Sequence, residues 1–367
     1  MPPRPSSTSI SWPEKPGDLP RDLSDRSDLD RLLAEQFPEA GGRLSPLRGG
    51  RDAAEKTLSR IDPRRYTKSR NHLKGAVTGL SPYIRHGVLS LAEVRDAVFQ
   101  RIRSRDEGSK LINELGWRDF WQRMWRDLGD GIHDSREELK TGHDPSSYAR
   151  ELPEDIRSGR TGLACMDGFQ NELTTRGWLH NHARMWFAGW WVHVERLPWQ
   201  LGAHFFFRNL LDADPASNTL SWRWVAGIQT PGKTYLPRRA NIEKYIDPEI
   251  LDTRQGGLRH LESPVAHRPE CPPKEAVTRP SLEAGGRVGP GKIGLWIHEE
   301  DLLPEKGPLA DLVPHTTMIT GDFESWSALA YSEQKRTWLL SALRDTEART
   351  KDFYKVDTYL AAEQPLS

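Results

Sequence analysis

The chain has 367 residues, and its 52 Lys+Arg balance 52 Asp+Glu, so no net field draws in nucleic acid. Two cysteines, Cys165 and Cys271, cannot build a disulfide framework, a four-ligand metal site or a four-Cys iron–sulfur cluster. No stretch approaches the ~18 apolar residues of a membrane span, and none follows Met1-Pro2-Pro3-Arg4 as a leader; a soluble protein of the reducing cytoplasm, without a membrane partner, is expected.

Residues 1–54 are rich in Pro, Ser, Asp and Arg and read as an irregular arm with one short helix at Asp28–Gln36. From 55 to 261 the texture is helical. Ser90 and Glu93 have capping-box spacing. Trp117, Trp121 and Trp125 recur at i, i+4, i+8 on one helix face, Trp186 and Trp190 share the i, i+4 step, and Pro198 and Pro215 mark helix starts or turns. Residues 262–291 are a Pro- and Gly-rich linker. Beyond it, Lys292–His298 and Thr316–Thr320 read as strands and Gln334–Ala348 as a helix, a small α/β appendage over 292–367. The predicted fold class is mainly α, an all-helical domain followed by that appendage.

Two features stand out. Between Arg60 and Arg126, fifteen Lys/Arg stand against seven Asp/Glu, a phosphate-facing surface or a set of solvated helix faces. Ten of the fourteen Trp lie between Trp117 and Trp224, a clustering that packing alone does not ask for.

Four runs carry chemistry. Tyr66-Thr67-Lys68-Ser69-Arg70, with Thr78-Gly79-Leu80-Ser81-Pro82, offers hydroxyls and backbone N–H groups before a helix, suited to anionic oxygens; alone, Thr-x-Leu-Ser-Pro is an ordinary helix start. Asn113-Glu114-Leu115-Gly116-Trp117-Arg118 joins a carboxyl to an indole. Gly177-Trp178-Leu179-His180-Asn181-His182-Ala183-Arg184-Met185 places an Arg and an Asn on one turn. His180 and His182, at i and i+2, point to different helix faces, so no metal site is expected. Asp212-Ala213-Asp214-Pro215-Ala216-Ser217-Asn218 holds two acids that would repel unless paired, and Trp222 and Trp224 follow. Such a set would clamp a flat, polar-edged ring among indoles.

In these runs and their order the chain resembles the DNA photolyase/cryptochrome family, from about Tyr66 to Tyr245. The resemblance implies an FAD-binding helical domain. FAD is then contacted by Tyr66, Thr78, Leu80, Ser81, Trp178, Asn181, Arg184, Asp212, Asp214 and Asn218. Arg184 pairs with Asp212, Asp214 accepts from the flavin ring edge, and Asn218 stands beside its N5. Glu114, Trp117, Asn181, Met185 and Trp224 would line a substrate cavity, and Arg70 and Arg118 would hold DNA phosphates. Trp222 and Trp199 match the first two steps of an electron relay. The third falls near Ser146, where Tyr148 is the nearest redox-capable side chain, with Trp186, Trp190 and Trp191 as other exits. His182 stands where photolyases often carry Arg, and the bulkier Thr219-Leu220-Ser221 replaces a smaller run beside the expected substrate cavity. The α/β antenna domain that opens typical members is expected to be absent, with no antenna chromophore. The implied activity is light-driven electron transfer from reduced FAD to a pyrimidine dimer in damaged DNA, a photolyase-type lyase. The alternative is a cryptochrome-type blue-light photoreceptor, with the appendage as the surface for a protein partner.

Overall fold

The computed structural model describes residues 45–133, 152–230, 233–246, 261–264 and 291–361. The helix expected at Asp28–Gln36, Ser146, Tyr148, Cys271 and nearly all of the linker lie outside these residues. The helical part begins with α1 (Arg51–Ser59), α2 (Pro63–Ser69), α3 (Ser81–Arg85), α4 (Leu91–Phe99) and the long α5 (Arg105–Leu128). It continues with α6 (Glu154–Ser158), α7 (Ala164–Arg176), α8 (Asn181–Gly189), α9 (Trp199–Asn209), α10 (Pro215–Val225) and α11 (Arg239–Tyr245). A π-turn over Trp190–Val194 prolongs α8 and turns Trp190, Trp191, Val192 and His193 into the core. The helix starts expected at Pro198 and Pro215 are found: Pro198 is the cap of α9 and Pro215 the first residue of α10.

The C-terminal part is a three-stranded parallel sheet, β1 (Gly294–His298), β2 (Thr316–Thr320) and β3 (Asp357–Ala361), in the order β1-β2-β3. Between β2 and β3 run α12 (Phe323–Ala328) and α13 (Glu333–Tyr354). Both predicted strands are present. The helix predicted at Gln334–Ala348 runs on to Tyr354, because buried Thr346 and Thr350 continue the stripe of Leu339, Ala342 and Leu343 after the aliphatic residues end. The third strand had no apolar run to announce it. The sheet's inner face, Leu295, Ile297, Thr317 and Ile319, is buried, while Trp296 and Tyr359 on the outer face are exposed.

The described residues form two hydrophobic cores. One packs Phe169, Trp186, Phe187, Trp190, Trp191, Phe206 and Trp222 from α7 to α10. The other joins Leu80, Val94, Val98 and Leu111 of α3 to α5 with Leu295, Ile297, Ile319, Trp326, Trp338 and Leu339 of the C-terminal part. The C-terminal sheet therefore does not hang free; it shares a core with the first helices. Leu210 belongs to the first core and Leu211 to the second. Gly87 has φ 62°, and a Cβ there would lie 2.7 Å from Asp301 Cα, so the approach of the two parts requires glycine.

The predicted capping box is present, and its glutamate does more than cap. Glu93 accepts from Ser90 N at 3.1 Å, from Arg51 Nη2 of α1 at 2.6 Å and from Lys306 Nζ of the C-terminal part at 3.0 Å. Burial pushes its pKa up, but the hydrogen bonds from Arg51, Ser90 and Lys306 outweigh that and bring it down from 4.5 to about 2. A folded value below the unfolded one means that the stability Glu93 contributes is complete above about pH 4.5 and is lost as pH falls towards about 2. Denaturant titration of wild type and Glu93→Gln should show a stability gap at about pH 6 that narrows at about pH 3.

Candidate cofactor pocket

The pocket is built from the turn before α10. Asp214 caps this helix: its Oδ1 accepts from Ser217 N at 2.7 Å and Ser217 Oγ at 3.0 Å, and Pro215 occupies the first helical position. Leu210 and Leu211 anchor the turn in the two cores and hold Asp212 between α3 and α8. Arg184 projects from α8, whose own start is capped by His180 Nδ1 accepting from His182 N at 3.1 Å. That lone pair must stay unprotonated, and burial, with His182 nearby, lowers the His180 pKa to about 4.

Arg184 Nε donates to Leu179 O at 2.8 Å and Nη2 to Asp212 Oδ2 at 2.8 Å. Burial pushes the Asp212 pKa up, but Arg184, with Ser81 and Arg118 assisting, holds it below the ordinary carboxylate value. Asp212 Oδ1 is buried and has no hydrogen-bond partner among the described residues. Asp214, 1% exposed, has its oxygens engaged. Beyond Ser217, Oδ2 accepts a short hydrogen bond from Gln122 Nε2, with Arg118 Nη2 at 3.6 Å and Arg85 Nε at 3.8 Å. The acceptor left for a ligand is therefore on Asp212.

Above these acids lies a cavity of about 320 Å³. Ile84, Phe206, Trp222 and Val225 supply apolar walls, Tyr66, Thr78 and Ser81 supply hydroxyls, and Asn181, Met185 and Asn218 line it from α8 and α10. Asn218 Nδ2 donates to Ala203 O at 2.9 Å, which fixes the amide's orientation. Glu114, Trp117, Arg118 and Trp121 of α5 also line the cavity, and Trp117 is 54% exposed. A second cavity of about 220 Å³, edged by Arg60, Arg65 and Gly75–Thr78, shares Tyr66 and Thr78 with the first. Burial, reinforced by Glu114, pushes the Tyr66 hydroxyl up to about 12.

Of the residues expected in the site, Leu80, Trp178, Trp199, Trp224 and Arg70 do not line this cavity. Leu80 is fully buried in the second core. Trp178 meets His180 edge-on at 6.5 Å, and Trp224 lies against Tyr235 at 6.0 Å. Arg70, expected on DNA phosphates, is in a short ion pair with Glu114. Arg118, expected there too, turns inward to Asp214. Thr219 and Leu220 are buried away from the cavity and Ser221 alone of that run lines it, so the run adds little bulk there. Gln122, which the sequence reading missed, sits one turn after Arg118 and two after Glu114, so the helical period of α5 was the available signal.

The indole cluster is continuous in part. Trp222 meets Phe206 at 5.0 Å and Trp191 at 6.1 Å, both edge-on, and Trp191 reaches Phe187 at 5.8 Å. Trp186, Trp190 and Trp191 are buried. Trp199 is buried at the start of α9, its indole N–H without a partner among the described residues.

An unpaired buried carboxylate oxygen beside apolar walls suits a donor on the edge of a flat ring, and the hydroxyls of Tyr66 and Thr78 in the lining suit anionic oxygens. Comparison with known proteins agrees. Residues 111–250 match the family model described as the FAD binding domain of DNA photolyase. The deoxyribodipyrimidine photo-lyase of Streptomyces griseus is 32% identical over 257 residues, 65% of this chain and 54% of that protein. A cryptochrome DASH of Natronomonas pharaonis is 30% identical over 220 residues, 56% of this chain and 45% of that one. The solved cryptochrome of Synechocystis sp. superposes with a TM-score of 0.51 at 26% identity, covering 62% of this chain and 49% of that one. The chain spans about a third to a half of the length of the first curated relatives it matches. In sequence and in its helical fold it resembles the photolyase/cryptochrome family.

Proposed function

We propose that this photolyase-like chain holds FAD in the cavity above Asp212 and uses light to repair pyrimidine dimers in DNA, in the cytoplasm. Bound there, FAD in its reduced form supplies a light-absorbing electron donor. The chain supplies position, charge and dryness. Asp212 Oδ1 accepts from the ring edge, and Arg184 keeps that carboxylate ionised. Tyr66 and Thr78 take the phosphate end, and Phe206 and Trp222 exclude water. Glu114 and Trp117 at the opening offer a base edge an acceptor and a base face an indole. The observation that carries the reading is the unpartnered, buried Asp212 oxygen in a cavity whose opening is lined by Glu114 and exposed Trp117.

The second reading, a photoreceptor without repair, is favoured by the Arg70–Glu114 ion pair, which engages the carboxyl meant for the base. A dimer-containing oligonucleotide separates the two. The purified protein should show a flavin absorption spectrum and, with the flavin reduced, restore intact pyrimidines under blue light but not in the dark. A flavin-loaded, reduced sample that leaves the dimers intact under light overturns repair in favour of the photoreceptor.

A further inference from the structure

In open α/β sheets the carboxyl ends of parallel strands are where ligands usually bind. Here those ends face the helical part instead. Glu299 and Glu300 follow β1, and Asp322 lies just past β2. Glu299 accepts from Trp326 Nε1 at 2.9 Å and from Asp322 N at 2.9 Å, and its carbonyl contacts His86 Nδ1 at 3.1 Å. Glu300 makes a short ion pair with Arg85 Nη2.

Arg85 ends α3, the short helix whose Ser81 and Ile84 line the cofactor cavity. Its guanidinium is buried, donates from Nε to Ala213 O at 3.0 Å, and lies 3.8 Å from Asp214 Oδ2. It is thus held between a pocket carboxylate and a carboxylate of the C-terminal sheet. Around the pocket floor stand three guanidiniums, Arg85, Arg118 and Arg184, and two acids, Asp212 and Asp214. Glu300 is the third acid that closes this balance. Lys335 and Glu299, also buried in the seam, are both pushed by burial towards their neutral forms and stand outside this count.

We propose that Glu300 is a positioning residue of the FAD pocket, acting through Arg85 on Asp214, so that the C-terminal sheet sets the potential in which the flavin sits. This rests on the FAD reading above. Glu300 keeps one side in solvent, so Glu300→Gln loses the charge while retaining an acceptor for Arg85. One negative charge fewer near the ring makes reduction easier. The midpoint potential of the flavin-loaded full chain should rise in Glu300→Gln, by about threefold in the reduction equilibrium, the scale of one screened charge at second contact. Glu300→Asp, which keeps the charge, should stay near wild type and controls for folding, with thermal melting measured alongside. A Glu300→Gln potential equal to that of flavin-loaded wild type overturns the role of Glu300 and leaves the FAD reading intact. A wild-type protein that takes up no flavin overturns both.

Discussion

Asp212→Ala should purify without flavin colour and melt below wild type. Asp212 is buried and pairs with Arg184 through one oxygen while the other awaits a donor. Truncation therefore removes the ring-edge acceptor and strands a guanidinium. Breaking a buried pair typically costs about 3–5 kcal/mol. The low end, about 3 kcal/mol, is expected because Arg184 keeps 24% of its side chain exposed. Flavin absorbance per chain and a denaturant titration measure the two losses. Asp212→Asn separates them, since it keeps the shape and an oxygen for the ring edge but lowers the attraction for Arg184. Its flavin content should fall between those of wild type and Asp212→Ala. Full flavin loading of Asp212→Ala would mean the ring lies elsewhere.

Gly202→Ala should destabilise the protein and weaken flavin binding, although alanine is the better helix former by about 1 kcal/mol. A Cβ at Gly202 in α9 would lie 2.3 Å from the Trp222 ring and 3.0 Å from Trp191 Nε1. Neither indole can give way freely: Trp222 is held edge-on by Phe206 and Trp191, and Trp191 Nε1 donates to Pro198 O at 2.9 Å. Overpacking of this kind costs about 1–3 kcal/mol. The displaced ring is a wall of the cavity, so stability and flavin affinity should fall together. Gly116→Ala is the matched control. Gly116 lies on exposed α5 with nothing within 4 Å of its would-be Cβ, and the change should stabilise by about 0.4–1 kcal/mol. Equal thermal shifts in the two variants would refute the packing argument.

What the sequence revealed was what repeats locally or sits in a short run. The cap at Ser90, the helix starts at Pro198 and Pro215 and the two strands with apolar cores were all legible, and the family resemblance supplied the Arg184–Asp212 pair. Partnerships between distant segments were not. Arg85 and Glu300 are 215 residues apart, and Gln122 and Asp214 are 92 apart. No periodicity links them; the fold alone brings them together. The resemblance puts Arg70 and Arg118 on DNA phosphates, yet Arg118 points inward to a buried acid and Arg70 pairs with Glu114. Indoles were assigned by position in a run, but whether each lines the cavity depends on rotation about the helix axis. That rotation places Trp222 on the cavity and Trp224 against Tyr235.

The turn that carries Asp212 is clamped by Leu210 in one core and Leu211 in the other. Neither core can open without pulling this turn, so the two are tied into one cooperative unit at the place where the cofactor would sit. A molecule that binds the folded pocket and not the unfolded chain adds its binding free energy to both cores at once. Saturation of the cavity would then slow local opening as far away as the C-terminal strands, which do not line it.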